Sequence, residues 1–424
     1  MPPTYNDHNP KKLNTGRLNI LLSNGRFPVS LDLARQLHHA GHRVFTVDPM
    51  EFHICKFSMA VKRSWQTPAP FEDPEGYIEA VKKVIRKADI DMIIPIHEEL
   101  FYLAESREPE ITERLFAGPF LELYQMHNKW EFSETLGRYG LDRPEASLCS
   151  TREDVEKLDK SREWALKPVL GRSSTGVHHL KFNEPIDWDN IPLSPENPHI
   201  AQEWLKGNRY CTYGVFRSGN VQAFVTYPVL ETIDGSSAVY FQATEHEKIK
   251  DYVMKLAKEL RLTGQFAFDF IETGHRIVAI ECNPRATSGI HLWSRTPKLA
   301  VAITDTSCSL EELAARPGVA RQTAPGMFMW EHKRANARRY FQHMSRLLCT
   351  RDVIWSGRDF ITVLMQPFLL ASYYRIAHDM GGIPLAEMFQ SQLLWTPGMF
   401  GESKRLELEG KQVGKLVKEW VPKV

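Results

Sequence analysis

The stretch Leu262–Arg285, with the sequence LTGQFAFDFIETGHRIVAIECNPR, decides the fold that we predict for this chain. It contains two mainly apolar runs, Gln265–Glu272 and Arg276–Cys282, on either side of Gly274. Apolar runs of this length, separated by a short segment with glycine, are typical of a β-hairpin. Large apolar residues flank each acid in the middle of these runs, so we expect both strands to be buried.

Three polar side chains of this hairpin form a candidate metal site. Glu281 and Asn283 are two residues apart, so they lie on one face of their strand. A three-residue turn at Gly274–Arg276 would place Asp269 opposite Glu281 on that same face. Two carboxylates and an amide oxygen favour magnesium or manganese over zinc. The alternative is an exposed face with two acids, but an unpaired carboxylate in a buried strand would be costly.

Basic side chains and a loop of small residues favour a phosphate site near these acids. Arg285 follows the hairpin, and its planar fork matches the oxygens of a phosphoryl group or an acyl phosphate. Lys167 lies in the predicted strand Glu163–Pro168, at whose end its compact charge can reach phosphate. The next loop, Gly171–Gly176, reads GRSSTG and offers amides and hydroxyls to phosphates. Taken alone it can also be a plain turn, and it lacks the residue order of a Walker A motif.

Two further segments carry weaker signals. Gln202–Leu205, with the sequence QEWL, predicts an edge strand whose backbone can contact an adenine base while its apolar neighbours bury the ring. Lys129 follows Asn128 at a predicted helix start, where a lysine is unremarkable in isolation. Neither segment identifies a function by itself.

Taken in order, these segments resemble the ATP-grasp superfamily, over roughly Leu18–Thr304. The resemblance implies ATP as the cofactor, with magnesium (or manganese). It implies that two lysines and the small-residue loop hold the phosphates, and that the QEWL strand holds adenine. The implied residues are Arg285 and Lys167 for catalysis, Lys129, Lys167, Ser173, Ser174, Gly176, Glu203, Trp204 and Leu205 for the nucleotide, and Asp269, Glu281 and Asn283 for the metal.

The resemblance has one departure and one refinement. The family often has a Gly-x-Glu pattern after the adenine strand, whereas this chain has Gly207-Asn208-Arg209, so no ribose contact is assigned. Segments that begin at Thr67, Ser194 and Leu262 resemble ATP-grasp ligases of the mycosporine-glycine synthase type. The implied reaction phosphorylates a carboxylate or enolate-type oxygen of a small metabolite, which an amine such as an amino acid then attacks. ADP and phosphate are released, and a role in secondary-metabolite biosynthesis follows.

The first hundred residues alternate between predicted strands and helices, which is typical of a parallel sheet of βαβ units. The predicted segments are strands at Leu18–Ser23, Arg43–Asp48 and Asp91–Ile96, and helices at Val29–Ala40 and Tyr77–Ala88. The carboxyl ends of such strands line clefts, which places Ser23–Arg26 and His97–Glu99 near one. Solvated turns are the alternative for both. A G-x-G-x-x-G fingerprint is absent from the first turn, which disfavours a dehydrogenase.

We therefore predict a combined α/β plus α+β architecture of several domains. The predicted parts are a disordered tail at 1–16, a Rossmann-like pre-ATP-grasp domain at 17–120, an ATP-grasp domain at 121–325 and a helical C-terminal extension at 326–424.

Composition excludes several classes of protein. Lys plus Arg number 53 against 52 for Asp plus Glu, so no global field recruits nucleic acid, although a local basic patch is compatible with this balance. The six cysteines form no C-x-x-C pair, which disfavours zinc sites and disulfides. Met1–Arg17 lacks the apolar core of a secretory signal, so we expect a cytoplasmic protein.

The C-terminal region leaves several interpretations open. Phe360–Tyr374 is mostly apolar but is broken by Gln366-Pro367, and it is too short to span a membrane. It is either a packed helix or lid, or a helix at a membrane surface or partner. The Arg-rich and aromatic stretch beyond Trp330 can form an anionic-substrate wall, a homodimer surface, a membrane-facing patch or a solvated cap.

Two other functions compete with the ligase. A catalytically silent nucleotide-binding regulator or scaffold agrees with Arg209 and with the long C-terminal region, but the acid–acid–amide set with Arg285 argues against it. A biotin-dependent carboxylase component is similar in fold, and we see no segment like a biotin carrier in these residues.

Overall fold

A computed structural model describes residues 16–171, 176–181, 184–233, 237–305, 307–328, 336–398, 400–401 and 404. Residues 1–15 of the predicted tail, and Ser173 and Ser174 of the predicted phosphate loop, lie outside the described residues.

The first part of the chain forms a parallel sheet covered by helices. Its elements are β1 (Asn19–Leu22), α1 (Pro28–His39), β2 (Arg43–Asp48), β3 (Val61–Gln66), α2 (Pro74–Ala88), β4 (Met92–Ile94), α3 (Glu99–Glu105), α4 (Pro109–Thr112) and α5 (Phe120–His127). The strand order is β3-β2-β1-β4, and every pair is parallel. The predicted βαβ alternation is confirmed. Strand β3 was not predicted, because its sequence VKRSWQ is polar and lies at the sheet edge.

Helix α2 illustrates how the sequence sets element boundaries in this part. Asp73 caps its start by accepting a hydrogen bond from the Gly76 amide, and Pro74 occupies the first helical position. The helix ends at Asp89, whose φ of 47° is left-handed. One face buries Tyr77, Ile78, Val81, Val84 and Ile85 in the core shared with the sheet.

The middle of the chain contains two four-stranded antiparallel sheets. Its elements are α6 (Lys129–Arg138), β5 (Ala146–Cys149), α7 (Arg152–Glu156), β6 (Trp164–Pro168), β7 (His178–Leu180), β8 (His199–Glu203), β9 (Asn208–Arg217), β10 (Asn220–Pro228), β11 (Thr232–Ile233), β12 (Ser237–Ala238), β13 (Tyr240–Gln242), α8 (Glu247–Leu260), β14 (Gly264–Glu272) and β15 (Ile277–Asn283). The sheets have the orders β5-β8-β6-β7 and β10-β9-β14-β15.

Strand β8 corrects one expectation. We predicted that the QEWL segment begins on an edge strand, but β8 pairs with β5 on one side and β6 on the other. Its backbone groups are therefore largely used within the sheet, up to Glu203. The sequence pattern could not reveal this, because a buried edge strand and a buried inner strand have the same composition.

The β14–β15 hairpin pairs Asp269 with Glu281, as predicted, but by a different route. The predicted three-residue turn is wrong, since Glu272 pairs with Ile277 and four residues lie between them. A β-bulge then leaves Ile280 as an extra residue on β15 and shifts the register by one. The bulge thus returns the two acids to opposite positions.

The last part of the chain is mainly helical. Its elements are α9 (Lys298–Thr304), α10 (Leu310–Leu313), β16 (Ala320–Gln322), α11 (Ala324–Phe328), α12 (Ala337–Cys349), α13 (Ile361–Leu364), α14 (Gln366–Asp379) and α15 (Leu385–Ser391). No helix in the described ranges has the length and apolar character needed to cross a membrane. All six cysteines, which lie within these ranges, are free thiols. The predicted fold class, mixed α/β with a helical extension, is confirmed.

The buried carboxyl group of Glu122 on α5 predicts a pH-dependent stability. Burial raises the pKa of Glu122 from 4.5 to about 8, despite a hydrogen bond from the Thr263 backbone. As pH rises through this window the unfolded chain loses the proton first, so the free energy of unfolding falls by about 1 kcal/mol per pH unit. We expect Glu122→Gln to flatten this slope in urea unfolding followed from about pH 5 to pH 8.

The matched control is Glu79→Gln on α2, whose side chain is 54% exposed. This variant should keep the slope of the unmodified protein. Stability curves of Glu122→Gln and the unmodified protein that run parallel over this range would contradict the prediction.

Candidate active site

A row of polar side chains crosses three adjacent strands of the larger antiparallel sheet. Asp269 on β14 is in register with Glu281 on β15 and with Cys211 on β9. Residues opposite each other on paired strands share a face, so these three side chains are neighbours. Asn283 lies two residues beyond Glu281, and its Nδ2 donates to Glu281 Oε1 at 3.4 Å. The structure thus brings the predicted acid–acid–amide set together.

Two buried lysines reach this row from outside the hairpin. Lys129 is the first residue of α6, whose start is capped by Asn128, and its Nζ lies 3.4 Å from Glu281 Oε2. Lys167 lies on β6 in the smaller antiparallel sheet, and its Nζ donates to Ile280 O at 3.4 Å. Ile280 is the bulge residue, so the bulge presents its carbonyl to Lys167. Both lysines therefore face the acids across the gap between the two antiparallel sheets.

The electrostatics of the cluster follow from burial and charge. Burial, with the neighbouring Glu281 carboxylate, raises the pKa of Asp269 to about 6. Burial alone would also raise the pKa of Glu281, but Lys129 and Lys167 hold it below its usual value. Burial lowers the pKa of Lys167 to about 8, against the opposing effect of Glu281. Closely spaced charges of both signs are thus grouped in a partly buried site, with the lysines buried and Glu281 22% exposed.

Arg285 follows the hairpin with part of its guanidinium uncommitted. Its Nη1 donates to Ala286 O at 3.3 Å, whereas its buried Nε has no hydrogen-bond partner among the described residues. A buried guanidinium nitrogen without an acceptor is costly, and an anionic ligand would satisfy it. This agrees with the predicted contact to a phosphoryl oxygen.

The described start of the predicted phosphate loop, Gly171, lies beside Lys129. Gly171 O accepts a hydrogen bond from Lys129 Nζ at 2.5 Å, and Gly171 N donates to Pro168 O at 3.0 Å. Gly176 closes the loop with a φ of 72°, a left-handed conformation that favours glycine. The loop therefore begins next to the ammonium group of Lys129.

The predicted adenine segment spans the end of β8 and the two residues after it. The Glu203 carboxylate accepts a hydrogen bond through Oε2 from Arg276 Nη1 at 3.1 Å, and its side chain is 24% exposed. The Trp204 indole stacks on the His179 ring with 3.7 Å between the centroids, and the Trp204 amide donates to Glu163 O. Leu205 is half-buried directly after these residues. The contact of this segment with a base stays a prediction.

A cavity of about 320 Å³ opens beside this segment, and its lining residues are mostly charged. They are Arg143, Pro144, Glu145, Ala146, Arg162, Glu203 and Arg276. The acid–acid–amide set does not line it. The cavity is therefore separate from the cluster around Asp269.

The donor set at the hairpin fits a hard cation. In the part of the chain that the structure describes, no three His, Cys, Asp or Glu side chains are grouped to hold a metal. The set therefore depends on the amide of Asn283 as its third ligand. Asn283 donates through its nitrogen, which keeps its oxygen for a cation. Oxygen-only donors match magnesium or manganese.

The polar residues at the carboxyl ends of β1 and β4 do come together, but they are buried. Glu99 Oε1 accepts from Asn24 Nδ2 at 2.9 Å, from the His97 amide at 2.9 Å and from Ser23 Oγ. The alternative of solvated turns is wrong, because Asn24 and Glu99 are fully buried. The C-terminal region covers this edge, with Trp395 N donating to Glu98 Oε2 at 3.2 Å.

Sequence reasoning missed two residues of the cluster. Cys211 could be found only from the strand register, which the sequence does not reveal. His127 ends α5, and its positive form would lower the pKa of Glu281 further. Because His127 lies two residues before the predicted phosphate-binding Lys129, its sequence position could have indicated that it lies near the site.

A family profile and several known proteins are similar to this chain. A family profile described as "ATP-grasp domain" matches residues 126–289, which contain every predicted site residue. The carbamoyl phosphate synthase large chain of Thermus thermophilus is 22% identical over 302 residues, 66% of this chain and 28% of that protein. The chain thus spans less than a third of that relative's length.

Solved structures with similar folds include a biotin carboxylase complex from Campylobacter jejuni and an L-amino acid ligase from Bacillus licheniformis. The first has a TM-score of 0.58 and 15% identity, covering 72% of this chain and 75% of that one. The second has a TM-score of 0.56 and 16% identity, covering 72% and 79%. At these identities the similarity concerns the fold alone. Residues 126–289 thus match the ATP-grasp domain profile, and the fold of the chain is similar to that of these structures.

Proposed function

We propose that this protein is an ADP-forming ATP-grasp ligase that couples a small-molecule acceptor to an amine. One observation carries the proposal. The buried ammonium groups of Lys129 and Lys167 face the carboxylates of Asp269 and Glu281. Such a mixture of acids and cations is suited to a cation–phosphate complex, in which both signs of charge are required. The ligase names among the relatives support the same class.

The cation would be held by Asp269, Glu281 and Asn283, and when bound it would neutralise charge on the phosphates. Lys129 and Lys167 bind the phosphate oxygens, since each has an ammonium group directed at the acid row. Arg285 stabilises the phosphoryl group during transfer through its guanidinium, whose Nε has no hydrogen-bond partner among the described residues. Positioning and charge, more than covalent chemistry by the protein, then lower the barrier.

The reaction transfers the terminal phosphoryl group of ATP to a carboxylate or enolate-type oxygen of the acceptor. The amine nitrogen then attacks the activated carbon, the new carbon–nitrogen bond forms, and phosphate leaves. Loop 171–176 would exclude water at this stage, because an acyl phosphate hydrolyses readily. The resemblance to ligases of the mycosporine-glycine synthase type supports an amino acid as the amine and a small metabolite as the acceptor.

The proposal predicts ADP release that needs both substrates. We expect a screen of amino acids against small carboxylates and cyclic enols, with ATP and magnesium, to give one pair with strong ADP release. Mass spectrometry should then find the condensation product. Tight ATP binding without turnover over the whole screen would instead favour a silent nucleotide-binding regulator, as Arg209 allows.

A further inference from the structure

Large apolar side chains lie exposed along the C-terminal helices. Six of them, each at least 46% exposed, are Trp355, Phe360, Ile361, Leu364, Phe368 and Tyr374, and we call them the apolar face. Phe368 and Tyr374 reach 69% and 60% exposure. Large apolar side chains exposed along one segment are typical of a site of protein or membrane contact.

The apolar face belongs to a packed element. On α14, Leu369, Tyr373 and Ala377 are buried at four-residue steps, in a core that includes Leu31 and Met50 of the N-terminal part. The opposite side of the helix is therefore turned outward. The exposure of Phe368 follows from the packing of this helix and is a fixed property of the fold.

Exposed cations outnumber exposed acids along the segment that carries the apolar face. Between residues 353 and 378 the only acid is Asp359, which is 4% exposed and forms an ion pair with Arg35 at 2.8 Å. Arg358 and Arg375 in the same segment are both exposed. The next acid along the chain is Asp379, at the end of α14. Asp379 is exposed, so the segment presents large apolar side chains with two exposed arginines and one exposed acid.

A second copy of the chain offers this surface less negative charge than an anionic lipid surface does. A two-fold pairing would place the same face on both sides of the interface, where each copy's segment has two exposed arginines and one exposed acid, Asp379. An anionic lipid surface offers both an apolar layer and negative headgroups. Trp355 and Tyr374 have the amphipathic rings that prefer the headgroup level.

We propose that the apolar face, with Arg358 and Arg375, binds the surface of a membrane that contains anionic lipids. The helices lie on the membrane with α14 along its surface and do not cross it. This inference is independent of the proposed ligase activity.

Sedimentation of the full chain with vesicles tests the proposal. We expect the protein to sediment with vesicles of phosphatidylcholine plus phosphatidylserine, and far less with phosphatidylcholine alone. Changing Leu364→Ser and Phe368→Ser together should lower the partition coefficient about tenfold or more, because two apolar side chains that would be buried in the lipid are lost. Changing Arg358→Gln and Arg375→Gln together should lower it about tenfold at low salt.

The matched control carries Leu148→Ser and Val177→Ser, two side chains that are 39% and 38% exposed on other strands and loops. It should bind vesicles as the unmodified protein does. Unfolding temperatures of all variants must match, so that lost binding is not lost folding. The proposal is overturned if the unmodified protein ignores phosphatidylserine vesicles, or if the Leu364→Ser, Phe368→Ser variant binds them equally well. It is also overturned if this variant only converts a dimer to monomers in ultracentrifugation.

Discussion

Replacing Glu281 with glutamine is expected to abolish amine-dependent ADP release while the protein stays folded. The substitution keeps the size of the side chain but removes the charge that faces Lys129 at 3.4 Å and that shares the row with Asp269. Both the cation and the lysine lose their partner, so the phosphates are no longer held in the reacting geometry. We expect a fall of about 100-fold or more in the rate, the size seen when one charge-stabilising group is lost.

The matched control for this change is Glu272→Gln, on the same hairpin. Glu272 lies on the other side of the bulge, opposite Ile277, and faces His246 at 3.3 Å. Its loss should leave ADP release near that of the unmodified protein. Unchanged turnover in Glu281→Gln, with both variants folded by circular dichroism, would overturn the metal assignment.

Arg285→Lys is expected to lower the rate of ADP release by about 100-fold or more with little change in ATP affinity. Lysine keeps the charge but loses the planar fork, and only the fork has an unused donor such as the buried Nε. If the arginine acts on the transferring phosphoryl group, the loss appears in kcat. If it only binds the nucleotide, the loss appears in KM for ATP.

Arg295→Lys is the control, because Arg295 is exposed ten residues further along the chain. It should change neither constant by more than a small factor. Equal effects of Arg285→Lys and Arg295→Lys on kcat would contradict a direct role for Arg285.

The hairpin explains why part of the site was predictable. Side chains alternate between the two faces of a strand, so Glu281 and Asn283 lie on one face of β15 whichever strand pairs with it. This part of the prediction therefore needs no knowledge of the tertiary structure. The pairing of Asp269 with Glu281 was predicted correctly, although the four-residue turn and the bulge at Ile280 were not. A bulge depends on how a strand must twist against its neighbours, so the local sequence carries little signal for it.

The remaining features depend on tertiary packing. The contact of Lys167 with Ile280 O joins two separate sheets, and no local pattern specifies how sheets face each other. Strand β8 is an inner strand because it pairs with β6 and also with β5, whose residues lie fifty or more positions earlier in the sequence. The hydrogen bond from Trp395 N to Glu98 Oε2 joins the C-terminal region to the N-terminal sheet. The roles of the site residues stay predictions until variants are measured.

The transfer of oxygen-18 from the acceptor to inorganic phosphate tests the central claim most directly. With an acceptor labelled in both oxygens of its carboxylate, or in its enolate-type oxygen, we predict that each phosphate released carries one labelled oxygen and that ADP forms in equal amount. Unlabelled phosphate, or AMP as the nucleotide product, would contradict phosphorylation of the acceptor by this site.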